Sequence, residues 1–233
     1  MSNLSYMQKA TDRGQLQIHV TTERGFFPIK DASIRLSYTG NPTEIIEELS
    51  TDISGQTAAV ELPAPPLEYS MEPSEFQPYS EYTIQVNASG YRPINISGIS
   101  VLPDKTSIQN VRMETATVEN PLERNIVITA NTLYGNFPPK IPEDEIKPMT
   151  ESGEIVLSRV VIPEYVIVHD GPPSDSSAND YYVRYRDYIK NVASSEIYAT
   201  WPDAALRANI LAIMSFTLNR VYTEWYRNKG YDF

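Results

Sequence analysis

Glu196 is the residue whose type and spacing most clearly suggest chemistry. Ile189, Val192 and Glu196 follow one another at intervals of three and four residues, and residues spaced in this way share one face of an α-helix. The spacing predicts a carboxyl group at the end of an apolar stripe. A carboxyl group held against apolar surface is disfavoured in its charged form, as a general acid near neutral pH requires. The alternative from spacing alone is a glutamate in water at a frayed helix end.

Other reactive side chains are few. The chain has no cysteine, which excludes disulfides, thiolate zinc sites, iron–sulfur clusters and cysteine nucleophiles. Its two histidines, His19 and His169, are too few for a multi-histidine metal site and a thin basis for a catalytic triad. We expect His19 to be solvated on the polar face of a strand. We expect His169 to be a polar residue in the turn where a strand ends, with a catalytic role as the alternative. The acidic run at residues 143–145 lacks the pattern of a calcium loop, so we predict no metal and no cofactor.

The charge of the chain limits its partners. Its 233 residues carry 19 Lys and Arg against 30 Asp and Glu, a formal net charge of −11. This surplus disfavours nucleic acid and anionic membrane surfaces as partners. The first residues do not read as a secretory signal, and no apolar stretch approaches the roughly 20 residues of a membrane helix. Composition alone therefore predicts a cytoplasmic protein with neither nucleic acid nor a membrane as partner.

The elements that must position Glu196 follow from the distribution of proline and glycine. Of 18 prolines 17 lie between Pro28 and Pro173, and of ten glycines nine lie between Gly14 and Gly171. Both residue types punctuate strands and turns but disrupt helix interiors. We therefore predict an α+β protein, with an N-terminal antiparallel β-sandwich followed by a mainly helical segment.

Alternation of apolar and polar residues locates the strands of the sandwich. It predicts strands at Leu16–Val20, Ile34–Tyr38 and Tyr82–Val86, with a closing strand around Ile108–Met113. The acidic segment Thr43–Leu49 is left unassigned.

Three regions result from this division. The sandwich is predicted to span residues 12–116 and the helical part residues 160–233. The linker between them, 117–159, is rich in proline and acidic residues, with short strands at Ile126–Ala130 and Ile155–Val161. Such an exposed connector is also a plausible site of proteolysis.

The helical end carries apolar and aromatic residues at helical spacing. From Ala204 to Tyr222 the helix is apolar nearly all round, which predicts a position in the middle of a helical bundle. The aromatic residues nearby are expected mainly in the core, with stacking on sugar rings as the alternative, best for Tyr198 and Trp201. This aromatic group comprises Tyr181, Tyr182, Tyr185, Tyr188, Tyr198 and Trp201.

The N-terminal part resembles a known accessory module. The strand Leu16–Val20, the step Phe27–Ile34 into the next strand, and the strand Tyr82–Val86 followed by Gly90 and Tyr91 resemble the carboxypeptidase-regulatory-like, transthyretin-like module. The resemblance implies a β-sandwich that serves as a scaffold, spacer or binding surface, and it implies no activity.

The helical part resembles a different family. Residues 188–209 read YIKNVASSEIYATWPDAALRAN and are similar to the opening of the SpoIID/LytB domain. That family shows a valine shortly before a glutamate, a short loop, and then an Ala-Leu-(Lys/Arg)-Ala helix. Residues 160–169 and 216–227 resemble clostridial spore cortex-lytic enzymes of the SleC type. The close resemblance covers roughly residues 155–233.

This resemblance implies lytic cleavage of the glycan strands of spore-cortex peptidoglycan. The family's essential glutamate maps onto Glu196, and Ser195, Tyr198 and Trp201 are the implied substrate-binding residues. Glu196 would protonate the glycosidic oxygen and then help the muramyl 6-hydroxyl attack C1, giving a 1,6-anhydro product. The implied location is the cortex or coat region of a spore, and the implied partners are glycan strands and an activating protease.

The sequence departs from that family in one clear respect. SpoIID-type domains continue with further helices and a Gly-(Leu/Met)-Ser-Gln-(Trp/Tyr)-Gly segment, which is not found here. We therefore expect an incomplete catalytic domain, with little or no lytic activity in this chain alone. The alternative is a non-catalytic sandwich module for binding or scaffolding, with a helical docking segment. An in-frame continuation after Phe233 that carries the missing segment would favour the enzyme.

Overall fold

The structure, a computed structural model, describes residues 12–72, 75–117, 122–130, 161–172 and 174–222. The chain divides into two compact units, Met1–Asn136 and Phe137–Phe233, and each has its own cluster of buried apolar side chains. Strands predominate, and both described α-helices lie in the second unit. The expected β-rich α+β fold is thereby confirmed.

The first unit consists of two β-sheets. Its strands are β1 (Asp12–Thr22), β2 (Ser33–Tyr38), β3 (Asn41–Ser50), β4 (Val60–Ala64), β5 (Ser80–Asn87), β6 (Ile94–Val101), β7 (Thr106–Met113) and β8 (Arg124–Val127). One sheet has the order β4-β1-β7 and the other the order β3-β2-β5-β6-β8. A short 3-10 helix, Leu67–Ser70, lies between β4 and β5.

The core of this unit lies between the two sheets. Leu16, Ile18 and Val20 of β1 alternate with more exposed neighbours and are fully buried. They share one cluster with inward-facing residues of the other sheet such as Ile34 and Ile84. Apolar faces of two sheets that pack in this way form a sandwich. The predicted β-sandwich is confirmed, and each predicted strand lies inside or overlaps an observed one.

Two strand pairs correct the prediction of an antiparallel sandwich. β1 pairs with β7 in parallel, from Gln15 opposite Thr106 to Thr22 opposite Met113, and β6 pairs with β8 in parallel. Alternation shows which side chains face the core but carries no information about the direction of the neighbouring strand. The other pairs within the sandwich are antiparallel.

Two segments that the sequence analysis did not assign to the sandwich belong to it. The acidic segment Thr43–Leu49 lies within β3, an exposed strand at the edge of the larger sheet. The strand predicted at Ile126–Ala130 overlaps β8 only at Ile126 and Val127, and β8 lies at the opposite edge of that sheet. Of the second predicted linker strand, Ile155–Val161, only Val161 lies among the described residues. The acidic run 143–145 lies outside them.

The second unit begins with a β-hairpin. β9 (Tyr165–His169) and β10 (Asp180–Arg184) are antiparallel, and α1 (Tyr185–Ser194) and α2 (Asp203–Tyr222) follow. Tyr181 and Tyr182 therefore lie in a strand rather than in a helix. The core of this unit is formed by the buried side chains of Val166, Tyr185, Ile189 and Ile213.

Only part of α2 is buried by the described residues. Ile213 and Thr217 are buried, whereas Leu211 and Phe216 are 61% and 58% exposed. The described residues therefore leave one side of α2 exposed. A central position in a helical bundle, as expected from the sequence, would bury both sides. No helix among the described residues is both long enough and apolar enough to cross a membrane.

Candidate functional site

The connection between α1 and α2 contains all four residues predicted to act on substrate. It begins with a tight turn, in which the amide of Ser195 donates to the carbonyl oxygens of Asn191 and Val192 at 3.2 and 3.0 Å. The amides of Glu196 and Ile197 both donate to the carbonyl oxygen of Ala193, at 3.1 and 3.0 Å. These hydrogen bonds satisfy carbonyl groups at the end of the helix. They fix the backbone that carries Glu196.

The structure corrects the predicted environment of Glu196. The helix ends at Ser194, and Glu196 is exposed in the turn that follows. Ile189 is buried as expected, but the next buried positions are Ile197 and Tyr198, which are 7% and 9% exposed. The spacing argument required a helix that continued to residue 196. Because the chain turns first, Ile197 enters the core and Glu196 faces solvent.

The three predicted substrate-binding residues differ in accessibility. Ser195 is exposed, and its hydroxyl donates to the carbonyl oxygen of Asn191 at 3.0 Å. Tyr198 is buried, whereas Trp201 is half-buried, with its amide donating to the Tyr198 carbonyl oxygen at 3.2 Å. The turn therefore brings Ser195 and Glu196 to one exposed position. Tyr198 belongs to the core, which favours the core interpretation for its ring.

The start of α2 completes this connection. The amide of Leu206 donates to the carbonyl oxygen of Pro202 at 3.0 Å, so the first helical turn begins directly after the proline. Asp203 lies in that first turn and is exposed, where its charge is favourable to the helix dipole. No group of three or more potential metal-ligating side chains occurs among the described residues.

A second polar cluster, which the sequence analysis did not identify, lies at the end of the β9–β10 hairpin. His169 Nδ1 is 2.7 Å from Asp180 Oδ1, and His169 Nε2 is 3.1 Å from the carbonyl oxygen of Pro172. The hydrogen bond with Asp180 raises the pKa of His169, the Pro172 carbonyl acts in the same direction, and burial opposes both. His169 is the last residue of β9, directly before the turn in which it was expected. Asp180, its hydrogen-bond partner, could not be recognised from the sequence because it lies on the next strand, β10.

Asp175 lies in the same part of the chain. Its Oδ1 accepts hydrogen bonds from the amide and the hydroxyl of Ser177, at 2.9 and 2.6 Å. These bonds, with that from the hydroxyl contributing most, lower the pKa of Asp175, and the nearby charge of His169 acts in the same direction. An aspartate two residues before a serine is a common turn pattern. This pattern is the signal from which the sequence could have predicted the turn at Asp175.

His19 differs from its expected solvated state. The residue is half-buried in β1, and its Nε2 has neither solvent contact nor a hydrogen-bond partner within the part of the chain that the structure describes. Alternation places the side chain on the outer face of the sheet. The backbone of His19 also forms an antiparallel bridge with Gln56, beside the strand.

Comparison with known proteins gives little further information. No protein-family model matches the chain, and no curated protein matches it. Solved structures similar to it include the Bacillus anthracis TIE protein, with 17% identity, coverage of 45% of this chain and 17% of that chain, and a TM-score of 0.31. The minor pilin GBS52 of Streptococcus agalactiae has 13% identity, coverage of 46% of each chain and a TM-score of 0.32.

A third similar structure is that of 5-hydroxyisourate hydrolase from Klebsiella pneumoniae. It has 15% identity, coverage of 45% of this chain and 92% of that chain, and a TM-score of 0.30. The chain thus spans less than half of the first two matched proteins.

Proposed function

We propose that this chain belongs to a peptidoglycan lytic enzyme of the SpoIID/SleC type, in which Glu196 acts first as an acid and then as a base. Residues 188–209 support the proposal, because their order resembles the opening of that catalytic domain. The structural observation that carries it is the exposed position of Glu196 on a hydrogen-bonded turn. A glycan strand can reach this carboxyl group without any opening of the core.

The proposed reaction needs only one carboxyl group. The protonated Glu196 donates its proton to the glycosidic oxygen between N-acetylmuramic acid and N-acetylglucosamine, and the bond from that oxygen to C1 breaks. The resulting carboxylate takes the proton of the muramyl 6-hydroxyl while O6 bonds to C1. The products are a 1,6-anhydromuramyl end and a free hydroxyl on the other sugar, with no water consumed.

The surroundings of Glu196 in the free chain limit this role. Its exposed carboxyl group is not enclosed by the apolar stripe of α1, so water must be removed from it by the bound glycan or by further protein. Removal of water from a closed site strengthens the electrostatic interactions within it. This exposure is a second reason, beside the missing family segment, to expect little or no lytic activity from the chain alone.

The same exposure favours the second candidate, a non-catalytic binding or scaffold module. The sandwich has a core of its own, and an exposed glutamate at a helix end has an ordinary structural role. The two candidates differ in one respect. The enzyme requires glycan to contact the turn that carries Glu196, whereas the module does not.

Co-sedimentation with purified spore-cortex peptidoglycan tests this contact. We expect the wild-type chain and Glu196→Gln to bind equally, since the amide keeps the shape of the side chain. Trp201→Ala should bind roughly tenfold more weakly, because an aromatic face for a sugar ring is lost. The matched control is Tyr182→Ala, which removes an aromatic side chain that is 75% exposed on β10 and should leave binding unchanged.

Mass spectrometry of the supernatants tests the chemistry. Anhydromuramyl ends released by wild type but not by Glu196→Gln would establish the enzyme and contradict our expectation of inactivity. Absence of binding by the wild-type chain would reject the proposed contact. Binding that is indifferent to both Trp201→Ala and Glu196→Arg would favour the module, with its binding surface elsewhere.

A further inference from the structure

A pair of polar side chains lies where the β9–β10 hairpin closes. His169 and Asp180 lie directly opposite each other, at the last registered position of the two strands. One step further on, the amide of Asp170 donates to the carbonyl oxygen of Asn179 at 3.0 Å. Because side chains alternate along a strand, His169 lies on the face opposite to that of Val166 and Val168, which pack towards the helices.

Two groups that can only accept a hydrogen bond lie at the two ring nitrogens of His169, and the backbone of Asp175 is a further acceptor near the ring. One is the carboxylate of Asp180, 2.7 Å from Nδ1, and the other is the carbonyl oxygen of Pro172, 3.1 Å from Nε2. The neutral ring has one N–H donor and the imidazolium has two. Both hydrogen bonds can therefore exist together only when the ring is protonated. The His169 side chain is also only 7% exposed, so water has little access to replace a lost partner.

We propose that His169 is a pH-operated latch. When its ring is protonated, its hydrogen bond to the Pro172 carbonyl oxygen holds the segment after β9 against the hairpin. When the ring is neutral, this bond is lost and the segment is released. Asp180 is the charged acceptor and keeps the proton on Nδ1, so the proton leaves from Nε2. The lone pair of Nε2 then faces the lone pairs of the Pro172 carbonyl oxygen, and the bond is replaced by a repulsion.

Release at Pro172 disturbs more than one bond. The carbonyl oxygen of Pro172 also accepts from the amide of Asp175 at 2.9 Å, and the carbonyl oxygen of Asp175 accepts from the amide of Ala178 at 3.2 Å. These hydrogen bonds hold together the described residues between β9 and β10. Movement of Pro172 therefore weakens the bonds that follow it in this turn. The hairpin pairing itself, from His169 to Tyr165, is expected to persist.

The charged groups nearest to His169 favour its protonated form. Asp180 on β10 is in direct contact, and Asp175 in the connection interacts with it as well. Asp170 is the adjacent residue and is exposed. The cation on the same face is Arg184, whose position at the far end of β10 is about 13 Å along the strand. The helices pack on the opposite face, so their charged groups do not face the ring.

The pH range of the latch follows from the direction of the shift. The pKa of His169 is raised, chiefly by its hydrogen bond with Asp180. Protonation therefore stabilises the closed connection fully below the unfolded value of about 6.5. This stabilisation is lost as the pH rises through the raised pKa of the folded state. The latch is closed below about pH 6.5 and opens as the pH rises through the raised pKa of His169.

Nitrogen-15 NMR of the whole chain tests the proposal, and the two histidines provide an internal comparison. We expect both ring nitrogens of His169 to be protonated at pH 6, with a titration midpoint above 6.5. Hydrogen exchange at the Asp175 amide should accelerate at least tenfold beyond its intrinsic pH dependence across that midpoint. The variant His19→Gln, which removes the other histidine, should leave this transition unchanged.

Two further variants keep the test decisive. In Asp180→Asn the midpoint of His169 should fall, and the transition at Asp175 should move with it. In His169→Gln the exchange of the Asp175 amide should be fast at all pH values and lose its transition. A neutral His169 at pH 6 would overturn the proposal. So would a titration of His169 that leaves the exchange at Asp175 unaffected.

Discussion

The hydroxyl group of Tyr82 donates a hydrogen bond to the carbonyl oxygen of Pro63 at 2.7 Å, and this bond joins the two sheets of the sandwich. Tyr82 lies on β5 of the larger sheet, and Pro63 lies on the edge strand β4 of the smaller one. The Tyr82 residue is fully buried, and burial raises the pKa of its hydroxyl. The donor therefore stays protonated over the whole range in which the protein is handled.

Loss of this hydroxyl group should weaken the sandwich. Tyr82→Phe keeps the ring but leaves the Pro63 carbonyl oxygen without this donor, so we expect the free energy of unfolding to fall by about 1–2 kcal/mol. Urea denaturation followed by fluorescence measures the change. Tyr182→Phe, at an exposed position, is the matched control and should change stability little. Equal effects of the two substitutions would contradict a specific role for the bond between the sheets.

Two glycines separate the cost of a positive φ from the cost of a steric clash. Gly98 and Gly90 have φ values of 82° and 83°, so alanine is strained at both. A Cβ atom at Gly98 would lie 2.4 Å from the carbonyl oxygen of Ile128, whereas one at Gly90 would meet nothing within 4 Å.

Thermal unfolding should therefore distinguish the two alanine variants. We expect Gly90→Ala to cost about 1 kcal/mol for its backbone conformation. Gly98→Ala should cost roughly 2 kcal/mol more, because the chain segment after β8 must move away. A similar melting temperature for both would mean that Ile128 moves freely, and that β8 adds little to the sheet.

Glu114 connects two arginines near β8. Its carboxylate oxygens lie 3.2 Å from Arg92 Nη1 and 2.9 Å from Arg124 Nη1, and the Arg92 and Glu114 side chains are only 19% and 25% exposed. We expect Glu114→Ala to reduce the free energy of unfolding by about 2 kcal/mol, because hydrogen bonds to charged groups in a partly buried site are lost.

The pair of Arg35 and Glu48 provides the control for Glu114. Their atoms are 3.2 Å apart, but the side chains are 56% and 67% exposed. Glu48→Ala should cost no more than about 0.5 kcal/mol, as for other solvated ion pairs. Chemical denaturation of both variants in low and high salt compares them. If both cost the same, then the partial burial of the Glu114 network has no energetic consequence.

The two sides of α2 should respond differently to substitution. Ile213 is 7% exposed, and Ile213→Ala should reduce stability by about 2–4 kcal/mol through loss of packing. Leu211 is 61% exposed, and Leu211→Ala should change stability by no more than about 0.5 kcal/mol. Circular dichroism at the wavelength of helix absorption measures both. A large effect at Leu211 would show that a surface outside the described residues packs against this side.

Asp175 should make the second unit sensitive to acid. Its pKa is lowered, mainly by the hydroxyl of Ser177, so its ionised form contributes stability above the unfolded value of about 3.9. That contribution is lost as the pH falls through the lowered folded value. We expect wild type to lose more thermal stability than Asp175→Asn between pH 5 and about pH 2, measured by scanning calorimetry. Identical pH dependence would contradict this assignment.

The strands of the sandwich were predictable because burial acts on every second residue. Leu16, Ile18 and Val20 alternate with polar residues, and the structure buries these three. The parallel partner of β1 was not predictable, because the alternation within β7 is the same for either direction of the neighbouring strand. The choice depends on contacts between segments far apart in the sequence.

The site was harder to predict than the fold for a local reason. Helical spacing placed Glu196 on the stripe of Ile189, but one additional apolar pair, Ile197 and Tyr198, competes for the same core and ends the helix first. The pairing of His169 with Asp180 depends on the register of the hairpin. No residue adjacent to His169 or Asp180 in the sequence indicates that the two side chains pair.

The parallel pairing of β1 with β7 also affects how the chain folds during synthesis. The side chains of Gln15 and Thr106, which are 91 positions apart in the sequence, form a hydrogen bond. At translation rates of about 5–20 residues per second, β1 leaves the ribosome roughly 5–20 seconds before its β7 partner. β4 can pair with one edge of β1 in the meantime, but the other edge stays open to other nascent chains. β1, the central strand of the smaller sheet, is thus synthesised first among its strands and is paired along both edges only after β7 has been made.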